Sequence, residues 1–109
     1  MATPESKTKR IIANTLKARG AFYFMPQGTG FAVSGASDFV GAYRGMFFSI
    51  EAKAHPNKPT ALQLAFMIKV QNNEAFAIWV DETNAKELVE GMLNEIDALC
   101  DLWKGERNG

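Results

Sequence analysis

The sequence has few of the residues from which proteins build covalent or soft-metal cross-links. It contains one cysteine, Cys100, and one histidine, His55, among 109 residues. A single cysteine excludes an intrachain disulfide and a cysteine-rich zinc site, and a single histidine excludes a histidine-rich metal site. A structural role for Cys100 on a helix face is the expected one.

Long apolar runs are also absent. No segment approaches the roughly 20 consecutive apolar residues of a membrane-spanning helix. The first ten residues, MATPESKTKR, contain no apolar stretch behind their basic residues, so we expect no signal peptide. Together with the scarcity of cysteine, these features predict a cytoplasmic protein that does not associate with membranes.

The net charge is zero, but the two halves of the chain carry opposite charge. Residues 1–60 contain eight basic and three acidic side chains, whereas residues 61–109 contain four basic and nine acidic ones. A basic half suits a polyanionic partner such as a nucleic acid, although charge also falls unevenly on many small domains. The composition, 47% hydrophobic and 22% charged, predicts one globular domain over residues 1–109.

Apolar periodicity and turn residues predict the element order α-β-β-β-α-β-α, a single α/β sandwich. Thr3, Pro4 and Glu5 indicate the start of the first helix, and Gly20 indicates its end. The expected elements are this helix, strands at 21–25, 39–43, 46–53 and 75–80, and helices at 60–72 and 84–103. The strand at 75–80 is apolar nearly throughout, so we expect it to be central, and residues 105–109 to be a frayed tail.

The last helix is amphipathic. Its apolar residues recur at the three- and four-residue spacing of one helix face, which predicts packing on the sheet and leaves room for contact with a second subunit. These residues are Leu88, Val89, Met92, Leu93, Ile96, Leu99 and Trp103.

The two strands around Arg44-Gly45 have a register that can be calculated. If Arg44-Gly45 is a two-residue hairpin turn, Asp38 lies directly across from Glu51. Lys53 is two residues beyond Glu51 and therefore points to the same face, opposite to the core face. A slip of one residue would separate the two acids onto opposite faces.

Two adjacent carboxylates need a compensating charge, because like charges opposed in a sheet destabilise it by up to about 1 kcal/mol. Lys53 alone could provide that charge in a surface ion-pair cluster. A divalent cation is the other possibility, since Mg²⁺ binds one or two carboxylates and completes its shell with water or phosphate oxygens.

At these residues the sequence resembles a known group of enzymes. The stretches 35-GASD-38 and 50-IEAK-53 resemble the PD-(D/E)xK nuclease motif, and 58-KPTALQ-63 narrows the resemblance to the VRR-nuclease group, the virus-type replication-repair nucleases. The likeness extends from Pro4 through Val80. Ser37 stands where the name of the motif has proline. The resemblance implies a restriction-endonuclease-like α/β fold, with a mixed central sheet flanked by helices.

The resemblance also implies a Mg²⁺- or Mn²⁺-dependent site. Asp38, Glu51 and the Ala52 carbonyl oxygen would bind the metal, which acts as a Lewis acid in phosphodiester hydrolysis. Lys53 would orient the attacking water and stabilise charge on the phosphate. The resemblance also places Gln63 close to the site and makes Glu5 an acid that supports the metal centre. Each of these two residues has a simpler interpretation as well. The pattern Thr60-x-x-Gln63 is a capping box, and Glu5 complements a helix dipole.

The implied partner is DNA. Stand-alone members of the group, of phage or bacterial type, resemble structure-selective nucleases, so branched DNA such as a four-way junction is the expected substrate and a homodimer the expected assembly. Candidate nucleic-acid contacts are Lys58 and His55, with Gln27 and Gly28 as a flexible rim of the cleft. The alternatives are a non-catalytic nucleic-acid-binding module of the same fold and a purely structural interaction domain.

Overall fold

The computed structural model describes residues 3–26 and 34–108. Its elements follow the predicted order α-β-β-β-α-β-α. They are α1 (Pro4–Arg19), β1 (Phe22–Phe24), β2 (Phe39–Tyr43), β3 (Met46–Ala52), α2 (Ala61–Asn72), β4 (Phe76–Val80) and α3 (Ala85–Asn108).

The first two helices begin where the sequence predicts, because side chains satisfy their free N–H groups. The Thr3 side chain accepts a hydrogen bond from the Ser6 N–H at 3.1 Å, and Pro4 occupies the first turn of α1. Gly20 ends α1 in the left-handed conformation, with φ of 74°. Thr60 caps α2 in the same way as Thr3 caps α1.

Within the described residues, the strands form one four-stranded sheet in the order β1-β2-β3-β4. The pairs β1–β2 and β2–β3 are antiparallel, and β3–β4 is parallel. Tyr43 pairs with Met46 across the turn and Phe39 with Ile50 at the far end, which confirms the predicted hairpin register.

The expectation that the strand at 75–80 is central was wrong. β4 is an edge strand of the described sheet, and β2 and β3 are the inner strands. Its nearly continuous apolar sequence has another cause: β4 contacts both α2 and α3, so both of its faces are covered. Phe76 and Trp79 are half-buried there.

The main core lies between the sheet and the pair of helices α1 and α3. The β3 residues Phe48, Ile50 and Ala52 are fully buried on this face, as the alternation of the strand predicts. From the helices, the core takes Ile12, Leu16, Val89, Met92, Leu93 and Ile96. Ser49 and Glu51, on the opposite face of β3, are also buried.

The third helix is longer than the sequence predicts. It continues to Asn108, beyond the predicted end at residue 103. One glycine inside a helix costs only about 1 kcal/mol, and Gly105 is therefore accommodated. Two ion pairs join α3 to the hairpin turn, from the Arg44 guanidinium to Asp97 at 2.8 Å and to Asp101 at 3.0 Å.

None of the helices in the described ranges combines the length and the apolar character required to cross a membrane.

Candidate active site

Asp38 and Glu51 meet at the end of the β2–β3 hairpin. Asp38 directly precedes β2, and Glu51 is the last residue but one of β3. An Asp38 carboxylate oxygen, Oδ2, accepts a hydrogen bond from the Ala52 N–H at 2.9 Å, which fixes the aspartate against the neighbouring strand. Ala52 directly follows Glu51, so this bond holds Asp38 at the strand end that carries the second acid. The hairpin therefore brings the two predicted acids together.

Glu51 is an unusual carboxyl group because it is buried. Its residue is 2% exposed, and its Oε1 atom has no hydrogen-bond partner among the described residues. Burial, and then the neighbouring Asp38, raise the pKa of Glu51 to about 8, although the Lys53 ammonium partly opposes this shift. A surface ion-pair cluster, the simpler of the two sequence-based interpretations, does not fit this burial.

Two lysines accompany the acids. The Lys53 Nζ atom lies 3.6 Å from Glu51 Oε2, as the predicted common face requires, and its side chain is 14% exposed. The Lys9 Nζ atom, on α1, lies 3.7 Å from Asp38 Oδ1, and its side chain is 34% exposed. Each carboxylate thus has an ammonium group of its own.

The first turn of α2 closes the site from the other side. Gln63 makes both bonds of the predicted capping box, accepting from the Thr60 N–H at 2.8 Å through its side chain and donating its own N–H to the Thr60 hydroxyl at 3.2 Å. Its Nε2 group also donates to Glu51 Oε2 at 3.2 Å. Gln63 therefore caps the helix and contacts the buried acid at once.

Gly35 allows this close approach of α2. Its φ is 74°, and a Cβ atom at this position would lie 2.3 Å from the carbonyl oxygen of Leu62. No residue other than glycine fits both the backbone conformation and the available space. The loop that leads into Asp38 is therefore packed directly on the helix that carries Gln63.

Thr8 attaches α1 to the same strand end. Its side chain is fully buried, and its hydroxyl lies 3.0 Å from the carbonyl oxygens of both Pro4 and Lys53. The contact with Lys53 holds the helix that carries Lys9 next to the strand end that carries Glu51 and Lys53. The site is thus assembled from two strands and two helices.

The donor atoms of this site suit a hard divalent cation. Two carboxylates stand together, one of them with an unpaired buried oxygen, and Mg²⁺ typically takes only one or two protein carboxylates. In the described ranges no cluster of three or more histidine, cysteine, aspartate or glutamate side chains is placed to hold a metal. Asp38 and Glu51 are the side chains that would hold Mg²⁺ or Mn²⁺ in a site of one or two carboxylates.

The structure also describes Glu5 and Lys58, two other predicted site residues. Glu5 is half-buried in the first turn of α1. Lys58 is exposed on the loop after β3. Gln27 and Gly28 lie outside the described residues.

His55, on the same loop as Lys58, is held by the turn after β4. Its Nδ1 atom lies 3.3 Å from Asp81 Oδ2, and its N–H donates to the Glu82 carboxylate at 3.0 and 3.1 Å. The hydroxyl of Thr83 is the main reason that the pKa of Asp81 is lowered, and His55 lowers it further. His55 therefore attaches its loop to the β4–α3 turn, and its side chain is 63% exposed.

Sequence reasoning missed Thr8 and Lys9. Lys9 lies four residues after Glu5, so helical spacing places both residues on one face of α1. The resemblance had already assigned Glu5 to the site, and that spacing was the available signal for Lys9. Thr8 gave no such signal, because its partner is a backbone carbonyl 45 residues away.

Comparisons with known proteins identify the fold. A solved structure described as a VRR_NUC domain is similar to this chain, with a TM-score of 0.67 and 22% sequence identity. The match covers 82% of this chain and 97% of the other. No protein-family model matches the sequence, and no curated protein matches it either. The chain has the VRR-nuclease fold, as the motifs at Asp38, Glu51 and Lys53 predicted.

Proposed function

We propose that this chain, with its VRR-nuclease fold, is a Mg²⁺- or Mn²⁺-dependent endonuclease that hydrolyses phosphodiester bonds in DNA. One observation carries the proposal: Asp38 is bonded to the Ala52 N–H next to Glu51, and Glu51 is buried with the Lys53 ammonium 3.6 Å from it. A buried glutamate next to a second, half-buried carboxyl group is costly for a purely structural domain to keep. The same pair is what a nuclease of this fold needs.

Asp38 and Glu51 hold the cation in this proposal, with the Ala52 carbonyl oxygen as a third protein ligand. The bound Mg²⁺ or Mn²⁺ supplies Lewis acidity toward the phosphate. Gln63 keeps the Glu51 carboxylate in place through its Nε2 group, 3.2 Å from Oε2. Glu5 contributes negative charge from the first turn of α1.

Lys53 acts on the reacting groups. Its ammonium orients a water molecule for attack on phosphorus and stabilises the negative charge that grows on the phosphate oxygens. The water oxygen bonds to phosphorus while one phosphorus–oxygen ester bond breaks. The protons of the water end on the leaving hydroxyl and in solvent, so the products are a phosphomonoester end and a free hydroxyl end. No covalent enzyme intermediate is formed.

Basic and loop residues around the site bind the DNA backbone. Lys58 is exposed on the loop after β3, and His55 is held beside it by Asp81 and Glu82. Gln27 and Gly28 are assigned to the rim of the cleft on the sequence alone. Phosphate contacts of this kind position a duplex without reading its sequence.

Branched DNA, such as a four-way junction, is the proposed substrate. A junction presents two symmetry-related strands, and a homodimer would bring one active site to each of them. The exposed side chains of Leu102 and Trp103 near the end of α3, 58% and 46% exposed, offer an apolar surface for such an assembly. The resemblance of the motifs supports a phage or bacterial protein acting in the cytoplasm on replication or repair intermediates.

A cleavage assay tests the proposal. Wild-type protein is incubated with a four-way junction and with a linear duplex, in Mg²⁺, in Mn²⁺ and in EDTA. We expect cleavage with either metal, none in EDTA, and faster cleavage of the junction. Lys53→Ala and Asp38→Asn should each slow cleavage by at least about 100-fold, because each removes a charge that stabilises the transition state or holds the metal.

Lys86→Ala is the matched control, since Lys86 is exposed on α3 and pairs only loosely with Glu90 at 4.0 Å. It should cleave like the wild type. Unchanged cleavage by Lys53→Ala would refute the proposed mechanism. Binding of the junction without cleavage under either metal would instead establish the alternative, a non-catalytic nucleic-acid-binding module of the same fold.

A further inference from the structure

The site contains one more positive charge than the nuclease motif accounts for. Lys9 Nζ lies 3.7 Å from Asp38 Oδ1, almost the same distance that separates Lys53 Nζ from Glu51 Oε2. Lys53 belongs to the motif, whereas Lys9 comes from α1. When both acids are ionised, the charges of the two carboxylates and the two ammonium groups cancel.

The neutral cluster becomes doubly positive when a divalent cation binds to the two carboxylates. The cation then satisfies the charge of Asp38 and Glu51, and both ammonium groups lose most of their attraction to them. A phosphodiester brings one negative charge and acquires a second during attack by water. The summed charge of the cation, the two carboxylates, the two ammonium groups and the phosphate is therefore smaller in the transition state than in the ground state, which favours catalysis by electrostatic stabilisation.

We infer that Lys9 is a phosphate-binding residue of this active site, holding a phosphate of the DNA strand that is cut. The inference rests on the proposed function. Lys9 is the more accessible of the two lysines, with 34% of its side chain exposed against 14% for Lys53, so a phosphate can reach it from solvent.

The position of Lys9 is fixed well enough for this role. The adjacent Thr8 is fully buried and its hydroxyl donates within 3.0 Å of the Lys53 carbonyl oxygen, so the backbone of α1 is attached to the strand end that carries the motif lysine. Stabilisation of the fold is a weaker explanation for the presence of Lys9. A partly exposed ion pair contributes only about 0–1 kcal/mol to stability.

Two variants and one control test this inference. Lys9→Met removes the charge but keeps the length of the side chain, and Lys9→Arg keeps the charge. Lys17→Met makes the same charge change on an exposed residue eight positions along α1, about 12 Å away. Each protein is titrated calorimetrically with Mn²⁺ in the absence of DNA, and each is assayed for single-turnover cleavage of a junction.

The two measurements should move in opposite directions for Lys9→Met. Its affinity for Mn²⁺ should rise by up to about tenfold, because a like charge next to the ion has been removed. Its cleavage rate constant should fall about 10- to 100-fold, because a phosphate-binding charge has been lost. Lys9→Arg should remain within about threefold of wild type in cleavage, and Lys17→Met should match wild type in both measurements.

Two results would overturn the inference alone, while the wild type still cleaves DNA. One is a cleavage rate constant for Lys9→Met equal to that of the wild type. The other is weaker Mn²⁺ binding by Lys9→Met, since that would make Lys9 a support for Asp38 and not a phosphate ligand. A wild-type chain that binds Mn²⁺ but cleaves neither junction nor duplex would overturn the proposed function, and this inference with it.

Discussion

At the scale of single residues, the main feature is the carboxyl group of Glu51, whose charged form is destabilised by burial. Glu51 follows the apolar residues of a strand and is buried beside Asp38, with one oxygen unpaired among the described residues. Lys53 and Gln63 stabilise its charged form only in part, because the pKa of Glu51 is still raised to about 8 by burial and by Asp38. In the absence of a metal, the site therefore favours a protonated Glu51 at neutral pH.

We predict that stability in metal-free buffer falls as the pH rises. The pKa of Glu51 is about 8 in the folded chain and about 4.3 in an unfolded one. Between these values the folded state keeps a proton that the unfolded state has released, so the free energy of unfolding decreases with increasing pH. The contribution of Glu51 is complete near pH 4 and is lost progressively up to about pH 8.

Urea unfolding in EDTA at pH 5, 6, 7 and 8 measures this dependence. Glu51→Gln is the control, because glutamine cannot ionise, and its stability should fall less steeply than that of the wild type over the same range. Parallel curves for the two proteins would mean that Glu51 ionises normally in the folded state.

At the scale of secondary-structure elements, the site depends on how closely α2 approaches the loop before β2. Gly35 packs against the backbone of Leu62 and Gln63, and Gln63 reaches Glu51 from the first turn of the same helix. Any displacement of α2 would therefore expose Glu51 and lengthen its hydrogen bond. The positions of the loop before β2, of α2 and of the Glu51 side chain therefore depend on one another.

We predict that Gly35→Ala destabilises the protein more than Gly45→Ala does. Both glycines have positive φ, 74° and 87°, so alanine is strained at either position by about 1 kcal/mol. At Gly45 the space around a Cβ atom is open, whereas at Gly35 it would meet the Leu62 carbonyl oxygen at 2.3 Å. Overpacking should add about 1–3 kcal/mol at Gly35 alone.

Thermal and urea unfolding of the two variants give this difference directly, since the cost of the left-handed conformation is common to both. Gly35→Ala should also bind Mn²⁺ more weakly than Gly45→Ala, because the displaced α2 no longer holds Glu51. Equal destabilisation by the two substitutions would show that the approach of α2 is looser than the structure indicates.

At the scale of the whole molecule, opposite charges are separated along the chain. The first 60 residues are basic and contain Lys9, Lys53 and Lys58, whereas the acidic residues of the second half include those of α3. Asp97 on α3 accepts from Arg19 of α1 at 2.7 Å and from Arg44 at 2.8 Å. Part of the acidic half is thus used to hold the molecule together, and Lys58 of the basic half is exposed where a polyanion can reach it.

We predict that affinity for junction DNA falls steeply as the salt concentration rises, because phosphate contacts release counterions. Binding measured in metal-free buffer, where no cleavage occurs, should give a linear plot of log affinity against log salt. Lys58→Ala should lower the magnitude of the slope by about one, the value for one lost phosphate contact. Lys86→Ala should leave the slope unchanged. A flat salt response would contradict the role assigned to the basic half.

Sequence patterns predicted this molecule best where the structure is local. The caps at Thr3 and Thr60, the stop at Gly20 and the register around Arg44-Gly45 depend on neighbouring residues, and each is confirmed. The position of β4 in the sheet was predicted wrongly, because an apolar strand covered on both faces has the same composition at an edge as in the centre.

Long-range packing was equally hidden from the sequence. The burial of Glu51 depends on a helix ten or more residues further along the chain, and the attachment of α1 depends on one hydroxyl, that of Thr8, and one distant carbonyl oxygen. The residues that the sequence identified at the site were those that belong to the nuclease motif. Lys9 lies outside that motif, and folding brings it to Asp38.

The hydrogen bond from the Ala52 N–H to Asp38 forms only when the hairpin has closed in the correct register, so the pairing of the two acids depends on correct folding. A hairpin closed one residue out of step would leave that bond unmade and turn one acid away from the other. A chain still emerging from the ribosome, or one melted by heat, carries the same side chains without the pair. Whatever chemistry the pair performs is thus absent from every chain that has not closed this hairpin in register.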